Sequence, residues 1–452
     1  MRDRADITQY DTIGVVGLGQ TGLSCVRYLL AQGVRPWVFD SRPNPPGLAE
    51  LQQLDSGLEQ QFGPFEAAAL LGMDMLLLSP GIDPRTAAIQ LAKDAEIPVL
   101  GDIDLFAYQV EQPIIGITGS NGKSTVTRLT GELLAEAGMQ VAVGGNIGVP
   151  ALDLLQQPAD VYVLELSSFQ LDLCQQLTLQ AATILNISDD HLDRYGSMYA
   201  YTESKHQIYR RTHYAIWNRD QRSTAPQALP IDQQFTFGSD YSDENAPALF
   251  GIERHHGEPF ISYAGKPILA ANELQITGMH NLLNVQAALA LVHALGVDIH
   301  RCLPAARRFQ ALPHRCKLVG EWHGVRWVND SKATNIGAAE AAIHGVRELI
   351  QGQLILIAGG DGKGQDFSQF RTALMKVNIL IVFGKDAERI APFHHHVVRV
   401  ADLAEAVQQA QQLATAGSMV LLSPACSSLD MFRNYEQRGE QFVAAVEALH
   451  GA

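Results

Sequence analysis

Cysteine is scarce in this chain, and the few cysteines form no recognisable pattern. The 452 residues contain five, an odd number, and no two of them stand in a Cys-x-x-Cys pair. Their positions are widely spaced: Cys25, Cys174, Cys302, Cys316 and Cys426. The count and the spacing argue against a disulfide scaffold and against a structural zinc site.

Long apolar runs and an excess of positive charge are also missing. No segment approaches the roughly 18 apolar residues of a membrane-spanning helix, and Met1–Asp11 has no apolar stretch of the secretory kind. Lys and Arg number 33 against 48 Asp and Glu, which gives a formal net charge of −15. Such a surface repels nucleic-acid backbones and anionic lipids. We therefore expect a cytoplasmic protein that binds neither nucleic acid nor membranes.

What the chain does contain is a regular alternation of short apolar runs and longer stretches with helical spacing. This alternation predicts an α/β fold, in which helices cover both faces of parallel sheets and ligands bind at the carboxyl ends of strands. The clearest predicted strands are Ile13–Val16, Trp37–Asp40, Met75–Ser79, Ile114–Thr118, Val161–Glu165, Thr183–Ile187, Leu354–Ala358, Ile379–Phe383 and Met419–Ser423.

The length corresponds to about three domains at roughly 150 residues each. Seams near Glu111–Pro113 and Leu312–His314 predict domains over residues 1–112, 113–312 and 313–452. The first and third are predicted to be Rossmann-like, and the middle one to carry a P-loop ATPase-like parallel sheet. The polar, turn-rich stretch Asn218–Pro267 is predicted to form a small antiparallel insertion in the middle domain.

The strongest local motif is a glycine-rich loop between a predicted strand and a predicted helix. Its residues are Gly119, Ser120, Asn121, Gly122, Lys123, Ser124 and Thr125. Glycines let backbone N–H groups surround phosphate oxygens, the lysine supplies charge, and a hydroxyl can bind Mg²⁺. The strict phosphate-loop pattern requires glycine where Ile117 stands, and the alternative is a glycine turn with a solvated lysine.

Ionisable residues follow two further strands of the middle domain. Glu165 ends one strand and is a candidate magnesium ligand, with helix capping as the alternative. His191 lies in the loop Asn186–Tyr195, where it could bind a metal or orient a phosphate, although a lone histidine is more often structural. Lys205, a little further on, has the pattern of a solvated helical lysine.

A second glycine motif lies near the N-terminus. Gly17, Gly19 and Gly22 follow a strand, and Asp40 ends the next one, which is the dinucleotide-binding pattern. Taken alone, this motif indicates an NAD-dependent enzyme. The alternative is a tight turn whose only role is packing. Together with the loop at Lys123, the motif favours two phosphorylated ligands, ATP and a nucleotide-linked substrate. In the last domain, the loops Asn329–Asn335, Ala358–Gly364 and Ser423–Asp430 suit an acidic small molecule.

The order of these motifs resembles the Mur ligase family of peptidoglycan biosynthesis over essentially the whole chain. That family also lacks the first glycine of the phosphate loop. The motifs that carry the resemblance are Gly119–Thr125, Gly144–Gly148, Glu165–Gln170, Asp190–Tyr195, His280–Asn281 with Asn284, Pro313–Arg315, Asp330–Asn335 and Ser423–Asp430.

The resemblance implies a monomeric, ATP-dependent amide ligase with UDP-N-acetylmuramoyl-L-alanine and D-glutamate as substrates. It implies two Mg²⁺ ions and a Lys205 that is N-carbamylated. The catalytic residues would be Lys123, Glu165, His191, Lys205 and Lys332. The metal ligands would be Ser124, Glu165, His191 and Lys205.

The resemblance also implies a binding residue set for each substrate. ATP would contact Gly119–Thr125, Asn281, Asn284, Arg315 and Asp330. The UDP-sugar would contact Gly17, Gly19, Gly22, Asp40, Ser41, Arg42, Ser79 and Asn146. D-Glutamate would contact Lys332, Thr334, Lys363, Ser428, Leu429 and Tyr435.

Other functions compete with this interpretation. A related ligase that adds another amino acid, or glutamate to a folate, would share most of the motifs. The complete N-terminal domain counts against the folate enzyme, and the donors at Lys363 and Ser428 favour a dicarboxylate. A nicotinamide-dependent oxidoreductase built on Gly17–Gly22, or a non-catalytic nucleotide sensor, leaves the three loops of the last domain unexplained.

Overall fold

The structure is a computed structural model that describes residues 7–240, 250–255, 258–276, 278–310, 313–347, 350 and 352–451. It has α/β architecture with three parallel or largely parallel sheets and one small antiparallel sheet, which confirms the predicted fold class. The domain boundaries at 112/113 and 312/313 stay predictions, and residue 312 lies outside the described part. Among the described residues, no helix combines the length and apolar character that crossing a membrane requires.

The N-terminal sheet has five parallel strands in the order β3-β2-β1-β4-β5. The first strand is central, and Val15 pairs with Val38 on one side and Leu77 on the other. Its strands are β1 (Ile13–Val16), β2 (Trp37–Asp40), β3 (Gln60–Phe62), β4 (Met75–Leu78) and β5 (Val99–Leu100). Its helices are α1 (Gln20–Ala31), α2 (Leu48–Leu54), α3 (Ala67–Leu71), α4 (Ala87–Asp94) and α5 (Asp102–Gln109).

The central sheet has six parallel strands in the order β11-β10-β9-β6-β8-β7. Its strands are β6 (Ile114–Thr118), β7 (Val141–Gly145), β8 (Val161–Glu165), β9 (Leu179–Ile184), β10 (Thr212–Asn218) and β11 (Gln234–Phe237). Its helices are α6 (Lys123–Glu136), α7 (Ser168–Leu171), α8 (Leu192–Tyr195), α9 (Met198–His206), α10 (Met279–Ala294) and α11 (Leu303–Arg308). Because β8 and β9 flank β6, the loops that follow these three strands meet at one edge of the sheet.

Two expectations for this domain need correction. The strand predicted over Thr183–Ile187 is β9, which ends at Ile184, because beyond it the carbonyl of Asn186 accepts from the amide of Ser120 in the phosphate loop. The insertion predicted over Asn218–Pro267 is partly wrong, since Gln234–Phe237 pairs in parallel with β10. The antiparallel sheet is confirmed in β12 (Phe250–His255), β13 (Glu258–Tyr263) and β14 (Lys266–Ala270). Residues 241–249 and 256–257 of this stretch lie outside the described part.

The C-terminal sheet has six strands in the order β15-β16-β20-β17-β18-β19, and only the edge strand β15 is antiparallel. Its strands are β15 (Lys317–Trp322), β16 (Val325–Asn329), β17 (Leu354–Gly359), β18 (Ile379–Phe383), β19 (Val397–Arg399) and β20 (Met419–Leu422). Its helices are α12 (Ile336–Arg347), α13 (Arg371–Leu374), α14 (Ala387–Ile390), α15 (Leu403–Leu413) and α16 (Tyr435–His450).

The three domains are held together in two different ways. One apolar cluster combines buried side chains from the N-terminal and central domains, and within it the rings of Phe106 and Tyr162 meet edge to face at 5.1 Å. The apolar clusters of the C-terminal domain contain only residues from 325 onward, among those the structure describes. Its contacts to the central domain described below are polar, which is typical of domains that move relative to each other.

Candidate active site

The phosphate loop joins β6 to α6, as predicted. Gly122 has a φ of +85°, and a Cβ there would lie 2.6 Å from Oδ1 of Asn284, so glycine is required at this position. Lys123 is the first residue of α6, and its Nζ donates to the carbonyls of Gly119 at 2.8 Å and Ser120 at 2.9 Å. The loop therefore wraps around a cationic amine at the amino end of a helix, a geometry that favours anions.

Glu165 lies at the end of β8, beside the phosphate loop. Its side chain is buried, and Oε1 accepts from Nδ2 of Asn146 at 3.0 Å. The other oxygen, Oε2, is buried without a hydrogen-bond partner. An unpaired buried carboxylate oxygen is costly unless it binds a cation. Glu165 therefore fits the predicted role of a magnesium ligand.

His191 occupies a strained position in the loop after β9. Its φ is +53°, in the left-handed region, and its ring meets that of Phe169 at 4.8 Å. Burial lowers the pKa of His191 to about 4, although the neighbouring carboxylate of Asp190 opposes the shift. The imidazole is thus neutral near pH 7, and a neutral imidazole has the lone pair that a metal ion requires.

Lys205 is not the solvated helical lysine that its local pattern indicates. It is only 1% exposed, and its Nζ donates to the carbonyl of Gly119 at 3.0 Å and lies 4.5 Å from the ring centroid of Tyr201. Burial and then the charge of Lys123 hold its pKa well below the ordinary lysine value. The uncharged amine, which is the nucleophilic form of lysine, is therefore more readily formed here than in water.

The predicted metal ligands do not form a ready-made cluster. Where the structure describes the chain, no group of three His, Cys, Asp or Glu side chains is arranged to hold a metal ion. Ser124, also a predicted ligand, accepts a hydrogen bond at 3.2 Å from Nη2 of Arg315. A magnesium site built on Glu165, His191 and hydroxyls needs phosphate oxygens, water or a modified lysine to complete it, which Mg²⁺ commonly accepts.

Most residues predicted for the UDP-sugar meet in one cavity of about 670 Å³ between the N-terminal and central domains. The predicted contacts that line it are Gly17, Gly19, Ser41, Arg42, Ser79 and Asn146. Lys123, His191 and Lys205 line the same cavity. The sugar-binding and phosphate-binding predictions therefore converge on one space.

Gly22 and Asp40 lie beside this cavity in structural positions. A Cβ on Gly22 would lie 1.9 Å from the carbonyl oxygen of Gly17, so this glycine permits close packing. The buried carboxylate of Asp40 accepts from the amide of Leu18 at 2.7 Å and from the guanidinium of Arg42 at 2.7 and 2.8 Å. A ligand role for these two residues stays a prediction.

A second cavity, of about 300 Å³, lies between the central and C-terminal domains. Predicted nucleotide contacts line it from both sides: Asn121, Gly122, Thr125, Asn281, Asn284, Arg315 and Asp330. Nδ2 of Asn284 donates to Oδ1 of Asn281 at 3.2 Å. The structure thus gathers seven of the eleven predicted ATP contacts around one space, with Arg315 and Asp330 supplied by the C-terminal domain, whereas Lys123 lines the larger cavity.

Asp330 makes a testable contribution to stability. Burial raises its pKa to about 6, although its carboxylate accepts from Ser423 at 2.7 Å and from the amide of Cys316 at 3.1 Å. A raised carboxyl pKa means that the folded state binds the proton more tightly, so stability falls as pH rises from about 4 to about 6. We expect Asp330→Asn to raise the free energy of unfolding by about 1–3 kcal/mol at about pH 7.5.

Denaturant unfolding at two pH values checks this prediction. The gain should be much smaller at about pH 4, because the aspartate is then protonated in the folded state and about half protonated in the unfolded state. An equal effect at the two pH values would mean that burial of charge is not the cause. Nucleotide affinity should fall in the same variant if Asp330 contacts ATP.

The residues predicted for D-glutamate are less closely gathered. Lys363 reaches across the domain interface and forms an ion pair with Asp190, beside His191. Lys332 lines the cavity of about 300 Å³, and its ammonium lies 3.6 Å from the ring centroid of Tyr435. Burial lowers the pKa of Lys332 to about 8. Thr334, Ser428 and Leu429 line neither of the two cavities, and Leu429 is 71% exposed.

Sequence reasoning missed two residues that the structure brings into this site. The first, Asp190, lines the cavity of about 670 Å³ and pairs with Lys363. The second, Asn335, donates from Nδ2 to Asp190 at 3.3 Å. Burial alone would raise the pKa of Asp190, but the charge of Lys363, and that of His191 once it is protonated in acid, outweigh burial and lower the pKa to about 2. Both residues belong to motifs already recognised, and the missing signal was their partner across the domain interface.

Three family models match the chain in order. They are described as Mur ligase MurD-like, N-terminal domain, over residues 11–101; Mur ligase middle domain, over 117–292; and Mur ligase, glutamate ligase domain, over 314–426. A relative from Idiomarina loihiensis, named UDP-N-acetylmuramoylalanine–D-glutamate ligase, is 47% identical, and the alignment covers 97% of each chain.

Solved structures of the family share the fold. UDP-N-acetylmuramate–alanine ligase from Thermotoga maritima has a TM-score of 0.63 and 18% identity, with 97% of this chain and 99% of that chain covered. MurF ligase from the same organism, in complex with ADP, has a TM-score of 0.60 and 17% identity, with 97% and 95% covered. The chain therefore belongs to the Mur ligase family of ATP-dependent ligases.

Proposed function

We propose that this enzyme joins D-glutamate to UDP-N-acetylmuramoyl-L-alanine while ATP becomes ADP and phosphate. The observation that carries the proposal is that loops from the N-terminal, central and C-terminal domains meet around one cavity. Lys123 of the phosphate loop lines the cavity of the predicted sugar contacts, and Lys363 of the C-terminal domain reaches Asp190 in the wall of that cavity. The relative with 47% identity bears the name of this activity, which supports the choice of substrates.

A carboxylate is a poor electrophile, so ATP must first activate it. One oxygen of the L-alanyl carboxylate attacks the γ-phosphorus, the bond from that phosphorus to the bridging oxygen breaks, and ADP leaves. The amine nitrogen of D-glutamate then attacks the acyl carbon, the bond from carbon to the phosphate oxygen breaks, and the nitrogen loses a proton. The protein's contribution is to hold three anionic partners together in reactive positions.

Lys123 and the metal ligands reduce the repulsion among those anions. The ammonium of Lys123 lies at the centre of the phosphate loop, where it would contact the transferred phosphoryl group. The residues that would hold Mg²⁺ are Ser124 and Glu165 for one ion, and His191 with Lys205 for a second. Bound Mg²⁺ would neutralise phosphate charge and polarise the transferred group.

Carbamylation would reconcile Lys205 with a role beside a metal. An ammonium there would repel Mg²⁺, whereas the uncharged amine that burial favours can attack carbon dioxide and release a proton. The product is an acid with two oxygen atoms. The buried position next to the carbonyl of Gly119 supports this proposal.

The acceptor site is assigned to the C-terminal domain. We propose that Lys363 and Lys332 bind the carboxylates of D-glutamate, with Thr334 and Ser428 as hydrogen-bond donors. Leu429 and Tyr435 would complete the pocket. Because these residues surround no single cavity described above, movement of the C-terminal domain would assemble the site around the substrate.

The test is ADP release by the purified enzyme with UDP-N-acetylmuramoyl-L-alanine and a panel of amino acids. We expect sustained release with D-glutamate only, and little with L-glutamate, L-lysine or diaminopimelate. Preference for another amino acid would refute the acceptor assignment. Saturable NADH binding with no ADP release would favour the oxidoreductase, and ATP binding without ADP release under any condition would favour the sensor.

We also propose that the enzyme acts in the cytoplasm as a monomer. Two of its proposed substrates, ATP and the UDP-sugar, are nucleotides, and we expect the reaction to take place where ATP is available. Light scattering after size exclusion checks the oligomeric state, and a mass of about twice 49.2 kDa would contradict it.

A further inference from the structure

Asn335 is a buried side chain that joins two domains at the predicted site. It lies directly before α12 and is 1% exposed. Its Oδ1 accepts from the amide of Ala338 at 2.9 Å. Its amide group also exchanges two hydrogen bonds of 3.1 Å with that of Asn121 in the phosphate loop. In addition, its Nδ2 donates to Oδ2 of Asp190 at 3.3 Å.

Asp190 links Asn335 to Lys363, the lysine assigned to D-glutamate. Oδ2 accepts from Asn335, while Oδ1 accepts from the ammonium of Lys363 and from the amide of His191 at 3.0 Å. Four groups of the protein thus form one chain of contacts, from Asn121 through Asn335 and Asp190 to Lys363. The phosphate loop and the lysine assigned to D-glutamate lie at its two ends.

Backbone strain supports a functional purpose for this arrangement. Lys363 has a φ of +50° and His191 a φ of +53°, both in the left-handed region that non-glycine residues seldom adopt. Such strain persists where the surrounding structure enforces it, and it is concentrated at functional sites. Here the strained residues lie on the two sides of the interface, where Lys363 pairs with Asp190, the residue before His191.

We infer that Asn335 is a positioning residue that couples the phosphate loop to Lys363. When Asn121 is in place, Asn335 holds Asp190, and Asp190 holds the ammonium that would bind the acceptor. The inference rests on the proposed function, because it uses the assignment of Lys363 to D-glutamate. If the phosphate loop moved away from Asn335, then Asn335 would hold Asp190 less firmly, and Lys363 would lose a fixed partner. Acceptor binding would therefore depend on the state of the ATP site.

The nature of the interface makes single polar contacts important. The C-terminal domain shares no buried apolar cluster with the central domain among the described residues. Its position is therefore set largely by contacts such as those of Asn335, Lys363 and Arg315. Coupling of this kind is reciprocal: if the loop favours acceptor binding, the acceptor must favour the loop position by the same factor.

A double-mutant cycle of Asn121→Ala and Asn335→Ala tests the coupling. We expect each single variant to raise KM for D-glutamate about tenfold, with a smaller change in kcat, because positioning of the acceptor is lost. The double variant should be no worse than either single one, since both remove the same link. Multiplied effects, or an unchanged KM, would overturn the inference.

Two further variants separate positioning from folding. Asn335→Ser retains a side-chain oxygen that can accept from Ala338 but cannot reach Asn121, so it should reproduce the rise in KM with an unchanged Tm. A normal KM in Asn335→Ser would also overturn the inference. Gln369→Ala is the matched control, because Gln369 donates to Asp189 across the same interface at 2.9 Å without touching the chain of contacts.

Failure of this inference and failure of the proposed function give different results. If the wild-type enzyme does not require D-glutamate for ADP release, the proposed function fails before any variant is measured. If the wild-type enzyme requires D-glutamate but the cycle shows independent effects, only the role of Asn335 is refuted.

Discussion

Replacing Lys123 with alanine should reduce kcat by about a thousandfold or more while the fold stays intact. Its ammonium is enclosed by the phosphate loop, where we propose that the transferred charge develops. Removal of one such electrostatic contact commonly costs about 10²–10³ in rate, and a full positive charge supplies more than a neutral donor. Phosphate release in the presence of both substrates measures the effect.

The control for Lys123→Ala is Lys376→Ala, which removes an exposed lysine that lines neither of the two site cavities. The control should keep its activity, and both variants should unfold near the wild-type temperature. Burial disfavours the charged form of Lys123 and lowers its pKa, so removal of this amine should not destabilise the fold. A Lys123→Ala enzyme with normal turnover would refute the role of the loop in phosphoryl transfer.

Replacing Lys205 with alanine should lower turnover by about a hundredfold or more, with partial recovery on addition of short carboxylic acids such as acetate. The loss is expected because two carbamate oxygens beside a bound metal would disappear, and the typical cost of one electrostatic contact sets the magnitude. The alanine leaves a buried space next to Tyr201 and the carbonyl of Gly119. A small carboxylate can occupy this space and replace the missing oxygens.

Mass spectrometry of the native protein provides the second half of that test. The peptide that contains Lys205 should carry the added mass of carbon dioxide under conditions that preserve carbamates. An unmodified lysine, together with no recovery by any short acid, would contradict the carbamate. Recovery by acetate but not by uncharged acetamide would show that negative charge is what the site requires.

Much of the α/β fold could be predicted from the sequence, because the signals are local. Apolar runs such as Ile114–Thr118 become strands, and the glycines that follow permit the turn into α6. Where polar residues interrupt an apolar run, as Gln180 does in β9, the strand boundary was misplaced. Residues 234–237 were missed as a parallel strand because Gln234 and Thr236 alternate with phenylalanines, so the segment lacks the continuous apolar run of the predicted strands.

The candidate site could be predicted only as separate pieces. Loops after neighbouring parallel strands must meet at one sheet edge, so the grouping of Lys123 with Glu165 and His191 follows from topology. The burial of Lys205 does not follow, since its sequence neighbours Glu203 and His206 are those of a solvated helix. Only tertiary packing against Tyr201 and the phosphate loop explains it.

Contacts between domains could not be predicted from the sequence. Asn121 and Asn335 are 214 residues apart, and Asp190 and Asn335 are 145 apart. No periodicity links such positions, and an asparagine within a turn-rich motif is as easily a helix cap. Asp40 illustrates the opposite case, since its motif indicates a ligand contact while its carboxylate is occupied by Leu18 and Arg42.

Isotope transfer tests the central claim most directly. UDP-N-acetylmuramoyl-L-alanine with oxygen-18 in both oxygens of its alanyl carboxylate should be incubated with ATP, D-glutamate and the enzyme, and the released phosphate analysed by mass spectrometry. Activation by phosphoryl transfer predicts that each phosphate carries one labelled oxygen. Amide formation with entirely unlabelled phosphate would contradict the account, because the carboxylate would then never have been joined to the phosphoryl group.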